Sequence, residues 1–164
     1  MKIIGIDPGY AIVGVGVLEY KNNRFALLEA SAITTQAGMP FASRLEQIHN
    51  ELEDCVARHS PDAMAIEKLF FNTNTTTAID VAQARGVILL TAAAHGLQLG
   101  EYTPLQVKQS VVGYGRAEKK QVQQMVRLIL RLSAVPKQDD VADALAIAIC
   151  HAHCASRIAE IKRR

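Results

Sequence analysis

The chain has 164 residues, of which 49% are apolar and 21% are charged. This length predicts about one globular domain, and the composition excludes bulk disorder. The formal net charge of +2 is unevenly divided: it is −3 over residues 1–100 and +5 over residues 101–164. The division fits equally well an ordinary surface with a basic C-terminal helix and a protein that holds cations in one place and touches phosphates in another.

The first part of the chain predicts three strands. The segment KIIGID at 2–7 is a buried strand that stops at the turn signal Pro8-Gly9. A second strand follows at 11–20, and a third follows the turn at 21–23, in FALLEASAITT. Because the connections between these strands are short, we expect an antiparallel meander.

The apolar period then becomes helical, which predicts a helix at 40–58. A strand after a helix is expected to run parallel to its neighbour in the sheet. The remaining predicted elements are a strand at 62–67, a polar loop LFFNTNTTT, a long helix at 76–95, a strand at 97–103, a helix at 104–112, a Gly-rich basic loop at 113–120, a helix from Val122 to Leu132 and a last helix at 139–160. The order predicts an α/β fold with a mixed sheet flanked by helices, in one domain over 1–164.

Two carboxylates stand at the ends of predicted strands. Asp7 ends the first strand, before the Pro-Gly turn, and Glu67 ends the apolar segment DAMAIE. Ligands bind at strand ends in α/β sheets, and a buried carboxylate is unfavourable without a partner. The alternatives are that Asp7 caps the turn and that Glu67 reaches solvent beside Lys68.

Asp140 and Asp143 stand three residues apart in the first turns of the last helix, so both project from one face. Capping explains one Asp there, but with Asp139 there are three. If this helix packs near the strand ends, the carboxylates converge with Asp7 and Glu67. Clustered carboxylates repel one another unless cations hold them, and oxygen ligands favour Mg²⁺ or Mn²⁺. The pattern predicts metal-assisted phosphodiester hydrolysis.

Basic and aromatic residues supply candidate contacts to nucleic acid. Two glycines in GYGRAEKK allow close backbone approach to a phosphate, although such a loop is also common as a solvated turn. Phe70 and Phe71 follow Glu67 and can stack on unpaired bases, with core packing of one of them as the alternative. The candidate phosphate contacts are Lys108, Arg116, Lys119 and Lys120.

The three cysteines Cys55, Cys150 and Cys154 form no CxxC pair, which indicates free thiols in a reducing compartment and predicts a cytoplasmic protein. The segment CHAHC lacks the usual zinc spacing, so we interpret it as the interior of the last helix. No apolar run reaches the ~18 residues that cross a membrane, and the N-terminal segment does not have the pattern of a signal peptide.

Five segments occur in a distinctive order: IIGIDPG, AIEKLFF, AQARGVILL, VKQSVVGYGRAEKKQVQQMV and DDVADALAIAICHAH. Together they resemble the RuvC family of bacterial Holliday junction resolvases over nearly the whole chain. The resemblance implies an RNase H-like fold with a five-stranded sheet, three strands antiparallel and then two parallel. It also implies a homodimer that nicks the two continuous strands of a four-way DNA junction symmetrically, in recombination and DNA repair. Two Mg²⁺ ions per active site are implied, with Mn²⁺ as a substitute.

The resemblance also assigns roles to individual residues. The base-stacking Phe falls on Phe70, basic residues near DNA fall on Lys108, Lys119 and Lys120, and the dimer contact falls on the long helix at 76–95. The implied partners are the RuvA–RuvB branch-migration proteins, and residues 158–164 are expected to form a basic tail. The catalytic, metal-binding carboxylates fall on Asp7, Glu67, Asp140 and Asp143.

Two other functions fit parts of the pattern. The motif IGIDPG is also similar to the phosphate-binding turn of actin-like ATPases and sugar kinases, but those proteins bind nucleotide between two such domains and this chain has room for one. A module that grips branched DNA without cutting it would use the basic loop and Phe70, but it would not need four carboxylates.

Overall fold

The computed structural model of the protein describes residues 1–68 and 77–161, with side chains described as far as residue 156. The predicted order of strands and helices is confirmed for this part of the chain. The elements are β1 (Lys2–Asp7), β2 (Ile12–Lys21), β3 (Arg24–Thr34), α1 (Phe41–His59), β4 (Ala63–Glu67), α2 (Ala78–Ala94), β5 (Gln98–Tyr102), α3 (Pro104–Val112), α4 (Lys119–Ile129) and α5 (Asp139–Ile161).

The five strands form one mixed sheet in the order β3-β2-β1-β4-β5. Strands β1, β2 and β3 pair antiparallel, whereas β4 runs parallel to β1 and β5 runs parallel to β4. The predicted combination of three antiparallel and two parallel strands is therefore confirmed. Strand β1 lies at the centre, so the residues at its ends have neighbours on both sides.

The two faces of the sheet bury different helices, as the two-residue period of a strand requires. Ile4 and Ile6 of β1 belong to one buried cluster, which contains α1 and α2 residues such as Leu52 and Ile88. Ile3 belongs to a second cluster on the opposite face, formed mainly with α3, α4 and α5. Odd-numbered positions of β1 therefore face α5.

Helix α5 lies very close to the sheet because glycines face it. A Cβ atom at Gly14 of β2 would overlap the carbonyl oxygen of Asp140 in the first turn of α5. A Cβ at Gly5 of β1 would likewise overlap the carbonyl oxygen of Ala144, one turn further along. The absence of side chains at these positions brings the N-terminal turn of α5 directly onto the central strands.

The helix predicted from Val122 to Leu132 is displaced in the structure. It starts at Lys119, because the Gln121 side chain accepts a hydrogen bond of 2.8 Å from the Glu118 N–H and so closes the N-terminal turn. It ends at Ile129, and the left-handed Arg131 (φ 55°) turns the chain away. The predicted loop at 113–120 is thus too long, since Lys119 and Lys120 are the first helical residues. Leu132 lies beyond the helix but still packs against the core.

No helix in the two described ranges is long and apolar enough to cross a membrane.

Candidate active site

Asp7 and Glu67 lie at the same end of two neighbouring strands and on the same face of the sheet. Strands β1 and β4 run parallel with Ile6 opposite Ile66, so the next residue of each strand is one of these carboxylates. Asp7 follows Ile3 and Gly5 in the two-residue period, which directs it toward α5. Glu67 follows Ala65 of the α5 cluster in the same way. The strand period therefore places both carboxylates beneath α5.

The first turns of α5 bring the other two predicted carboxylates to this end of the strands. Asp7 pairs with Gly14 across the sheet, and Gly14 is in direct contact with the backbone of Asp140. Asp143 lies one helical turn further along and lines a cavity together with Glu67. The structure thus brings all four predicted carboxylates together at the carboxyl ends of β1 and β4.

The electrostatics show how closely the four groups interact. The pKa of Asp7 is raised to about 8. Burial of the carboxyl group is the main cause, and the charges of Asp143, Glu67 and Asp140 raise it further. The positive charge of Lys119 lowers it in part. Burial also raises the pKa of Glu67, with Asp143 adding to the effect. Burial likewise raises the pKa of Asp143, against the opposing effect of Lys119.

Lys119 is an exposed side chain whose ammonium group pairs with the acidic cluster. Its Nζ is 3.0 Å from Oδ2 of Asp143 and 3.2 Å from Oδ2 of Asp139. Desolvation disfavours the charged ammonium group, but the hydrogen bond and charge of Asp143 outweigh it, so the pKa of Lys119 is raised. Asp139 also accepts a hydrogen bond of 2.8 Å from Gln123. Asp139 is exposed and therefore belongs to the rim of the cluster.

The donor set of the cluster fits a divalent cation such as Mg²⁺. It consists of carboxylate oxygens, the ligands that hard cations prefer. Four carboxylates with the ammonium groups of Lys119 and Lys108 beside them leave an excess of negative charge, and this charge adds to the effect of burial in raising the pKa of Asp7. Among the residues that the structure describes, no three of these carboxylates have their oxygens all within 4.8 Å of one another. A shared ion would draw them closer together.

Two of the candidate DNA contacts, Lys108 and Lys119, line the cavity beside this cluster. Lys108 is half-buried and lines a cavity of about 190 Å³ with Glu67, Lys119 and Asp143. Its charge also lowers the pKa of Glu67 in part. Arg116 and Lys120 are exposed. The predicted stacking residue Phe70 lies outside the described residues.

Arg85 of α2 supports the site, although the sequence pattern did not predict a role for it. Its Nε donates a hydrogen bond of 3.4 Å to the backbone carbonyl of Glu67, and its guanidinium pairs with Glu101 of β5. Arg85 therefore anchors the end of β4, where a catalytic candidate stands. The sequence feature that could have identified Arg85 is that it is a single Arg in the otherwise weakly charged segment 76–95.

A mixed sheet of this order, with an acidic cluster at the ends of its central parallel strands and a helix packed over them, defines the RNase H-like class of nucleases. The family model described as crossover junction endodeoxyribonuclease RuvC matches residues 3–151. The chain belongs to the RuvC family, whose members hydrolyse phosphodiester bonds in DNA. The family assignment disfavours the ATPase alternative.

Relatives and solved structures agree with this assignment. The chain is 58% identical to a RuvC from Alkaliphilus metalliredigens over 153 residues, which is 93% of each chain. It is 61% identical to a RuvC from Ruminiclostridium cellulolyticum over 151 residues, 92% of this chain and 91% of the relative. The structure is similar to Thermus thermophilus RuvC in complex with Holliday junction substrate, with a TM-score of 0.91, 37% identity and 96% coverage of both chains.

The close approach of α5 to the sheet leads to a first prediction. Gly14→Ala must push the first turn of α5 away from β2, so we expect slower DNA cleavage and a loss of about 1–3 kcal/mol in the free energy of unfolding. The control is Ser43→Ala on α1, an exposed helical position where Ala is favoured. Thermal unfolding and cleavage rates of both variants test this, and equal behaviour would contradict it.

Proposed function

We propose that the protein is a Holliday junction resolvase, a single nuclease domain over residues 1–164 that nicks two strands of a four-way DNA junction symmetrically. The observation that carries the proposal is the meeting of Asp7, Glu67, Asp140 and Asp143 at one sheet edge in a member of the RuvC family. The Thermus thermophilus relative, solved with a Holliday junction substrate, supports a four-way junction as the substrate.

The four carboxylates are proposed to hold two Mg²⁺ ions, and Mn²⁺ is proposed to substitute. Such ions would supply a nucleophile at neutral pH and stabilise the charge that develops in phosphodiester hydrolysis. Asp7, at the centre of the cluster, would be the main carboxylate holding them. Asp140 and Asp143 are held in place by the contact of α5 with the sheet, and Glu67 by the anchored end of β4.

The basic side chains around the cluster are proposed to position DNA. Lys108 borders the same cavity as Glu67, so it can contact the phosphate backbone beside the scissile bond. Lys119 balances the negative charge of the aspartates and is near enough to contact DNA as well. Arg116 and Lys120 are exposed and can extend this surface, and Phe70 is proposed to stack on a base at the junction.

A homodimer is proposed because a two-fold axis places one active site on each of two strands. Helix α2 supports this arrangement, since Ile79 and Leu90 are 68% and 64% exposed. Large apolar side chains exposed on one helix are typical of an interaction surface. RuvA and RuvB are proposed as partners in branch migration, on the strength of the family alone.

The experiment compares cleavage of a synthetic four-way junction with that of a linear duplex of the same sequence, with and without Mg²⁺. We expect paired, symmetric nicks in the junction, dependent on the metal, and an intact duplex. Binding of the junction without any metal-dependent cleavage would contradict the proposed nuclease activity and favour a DNA-binding module. Equal cleavage of both substrates would contradict specificity for junctions.

A further inference from the structure

A second group of potential metal ligands lies away from the active site. Glu29 of β3 and Cys55 and His59 of α1 each offer one ligand atom, and these atoms all lie within 4.8 Å of one another. Of the residues that the structure describes, this is the group that meets such a limit. Cys55 is buried, and His59 and Glu29 are half-buried, so the atoms meet beneath the surface.

The backbone explains why these three side chains meet. Cys55 and His59 are four residues apart on α1 and therefore share one helix face. Glu29 is paired with Val17 of β2, and Val17 belongs to the cluster on the α1 face of the sheet. The face of α1 that carries Cys55 and His59 therefore meets the side chain of Glu29 at the edge strand β3.

We propose that Glu29, Cys55 and His59 form a binding site for Zn²⁺ that fastens the edge strand β3 to the C-terminal end of α1. A thiolate and an imidazole are ligands that select zinc over Mg²⁺, and a carboxylate is a common third ligand. The thiolate and carboxylate together balance the charge of the ion. This site is independent of the nuclease activity proposed above.

The distances leave little rearrangement to be made. Ligand atoms around tetrahedral zinc lie about 3.3–3.8 Å apart, given bond lengths of about 2.0–2.3 Å. His59 Nε2 is 2.8 Å from Glu29 Oε2, and the other pairs are no more than 4.8 Å apart. Shifts of about 1 Å therefore reach zinc geometry. A cavity of about 180 Å³, lined by Glu29 and Cys55 and by Glu51 and Asp54, has room for a fourth ligand.

Binding exchanges hydrogen bonds and protons for metal–ligand bonds. The Cys55 thiol releases its proton to solvent as the Zn–S bond forms, and the His59 Nε2 must present its lone pair instead of bonding to Glu29. Arg58, 2.9 Å from Glu29, is 55% exposed and can swing into solvent.

The site is distant from the nuclease centre. The backbone carbonyl of His59 accepts a hydrogen bond of 2.9 Å from Lys2 Nζ, at the opposite end of β1 from Asp7. Six residues of strand separate those ends by about 16 Å. The group also faces α1, whereas Asp7 faces α5. A zinc ion here would act on stability and not on the reacting phosphate.

The test uses Co²⁺ as a spectroscopic probe on the full-length protein under reducing conditions. To weaken binding at the carboxylate cluster, the titration is made in the Asp7→Asn background. We expect one equivalent of Co²⁺ to give a thiolate-to-cobalt charge-transfer band that Zn²⁺ abolishes. Cys55→Ser should remove the band, and Cys154→Ser, a half-buried cysteine on α5, should retain it.

A second variant keeps the proposal testable if Cys55→Ser does not fold. His59→Gln should weaken Co²⁺ binding at least about 100-fold. Zn²⁺ should raise the thermal midpoint of the Asp7→Asn protein but not that of its His59→Gln derivative. Absence of the charge-transfer band, its survival in Cys55→Ser, or an unchanged Co²⁺ affinity in His59→Gln would each overturn the proposal. None of these results depends on DNA cleavage.

Discussion

Replacing Asp7 by Asn is expected to slow cleavage of a four-way junction by at least about 10³-fold. Metal ions contribute several kcal/mol of transition-state stabilisation, and each 1.36 kcal/mol changes the rate tenfold. Asp7 stands at the centre of the acidic cluster, where Asp143, Glu67 and Asp140 all act on its pKa. An amide is a neutral and much weaker ligand for Mg²⁺, so its introduction removes the central anchor of the proposed metal pair.

Binding of the junction by Asp7→Asn should be retained, because the basic side chains that are proposed to contact the phosphates are unchanged. The matched control is Glu46→Gln, which neutralises an exposed carboxylate on α1. Single-turnover cleavage and gel-shift binding of both variants test the expectation. Cleavage within tenfold of the unsubstituted protein would contradict a role for Asp7 in the reaction, and lost binding would indicate a structural role instead.

Without divalent metal, the ionisation of Asp7 is expected to lower the stability of the protein as pH rises from about 4 to about 8. Asp7 has a pKa of 3.8 when unperturbed and of about 8 in the folded protein, chiefly because it is buried and also because it is near other carboxylates. Between these values the folded state binds the extra proton, so deprotonation favours unfolding. The contribution of this group is at most about 1.4 kcal/mol per pH unit.

Chemical denaturation at several pH values, in the presence of a chelator, tests this expectation. The Asp7→Asn variant should show a flatter profile and exceed the unsubstituted protein in stability at pH 8. Mg²⁺ should stabilise the unsubstituted protein increasingly as pH rises, because only the deprotonated carboxylates bind the ion well. Identical pH profiles for the two proteins would show that folding does not raise the pKa of Asp7. This result would contradict the effect expected from the burial of its carboxyl group.

Much of the fold could be predicted from local patterns. The uninterrupted apolar run in KIIGID reflects a strand that is buried on both faces, and the helical spacing in α1 reflects burial of one helix face. The boundaries of α4 were wrong because they depend on a hydrogen bond between the Glu118 backbone and the Gln121 side chain. Apolar spacing carries no information about such a cap.

The candidate site was predicted in its parts but not in its electrostatics. Strand ends and the spacing of Asp140 and Asp143 indicated which residues could meet. The sequence could not show that Lys119 pairs with the carboxylates, because that contact depends on how α4 packs against α5. The meeting of Glu29 with α1 was equally hidden, since it depends on the register of β3 against β2.

We propose that the four carboxylates form one metal centre. The anomalous diffraction of Mn²⁺ in crystals of the protein tests this directly. The structure predicts bound Mn²⁺ at the ends of β1 and β4, in contact with Asp7 and with at least two of Glu67, Asp140 and Asp143. Mn²⁺ bound only at other positions, with no contact to Asp7, would contradict the claim.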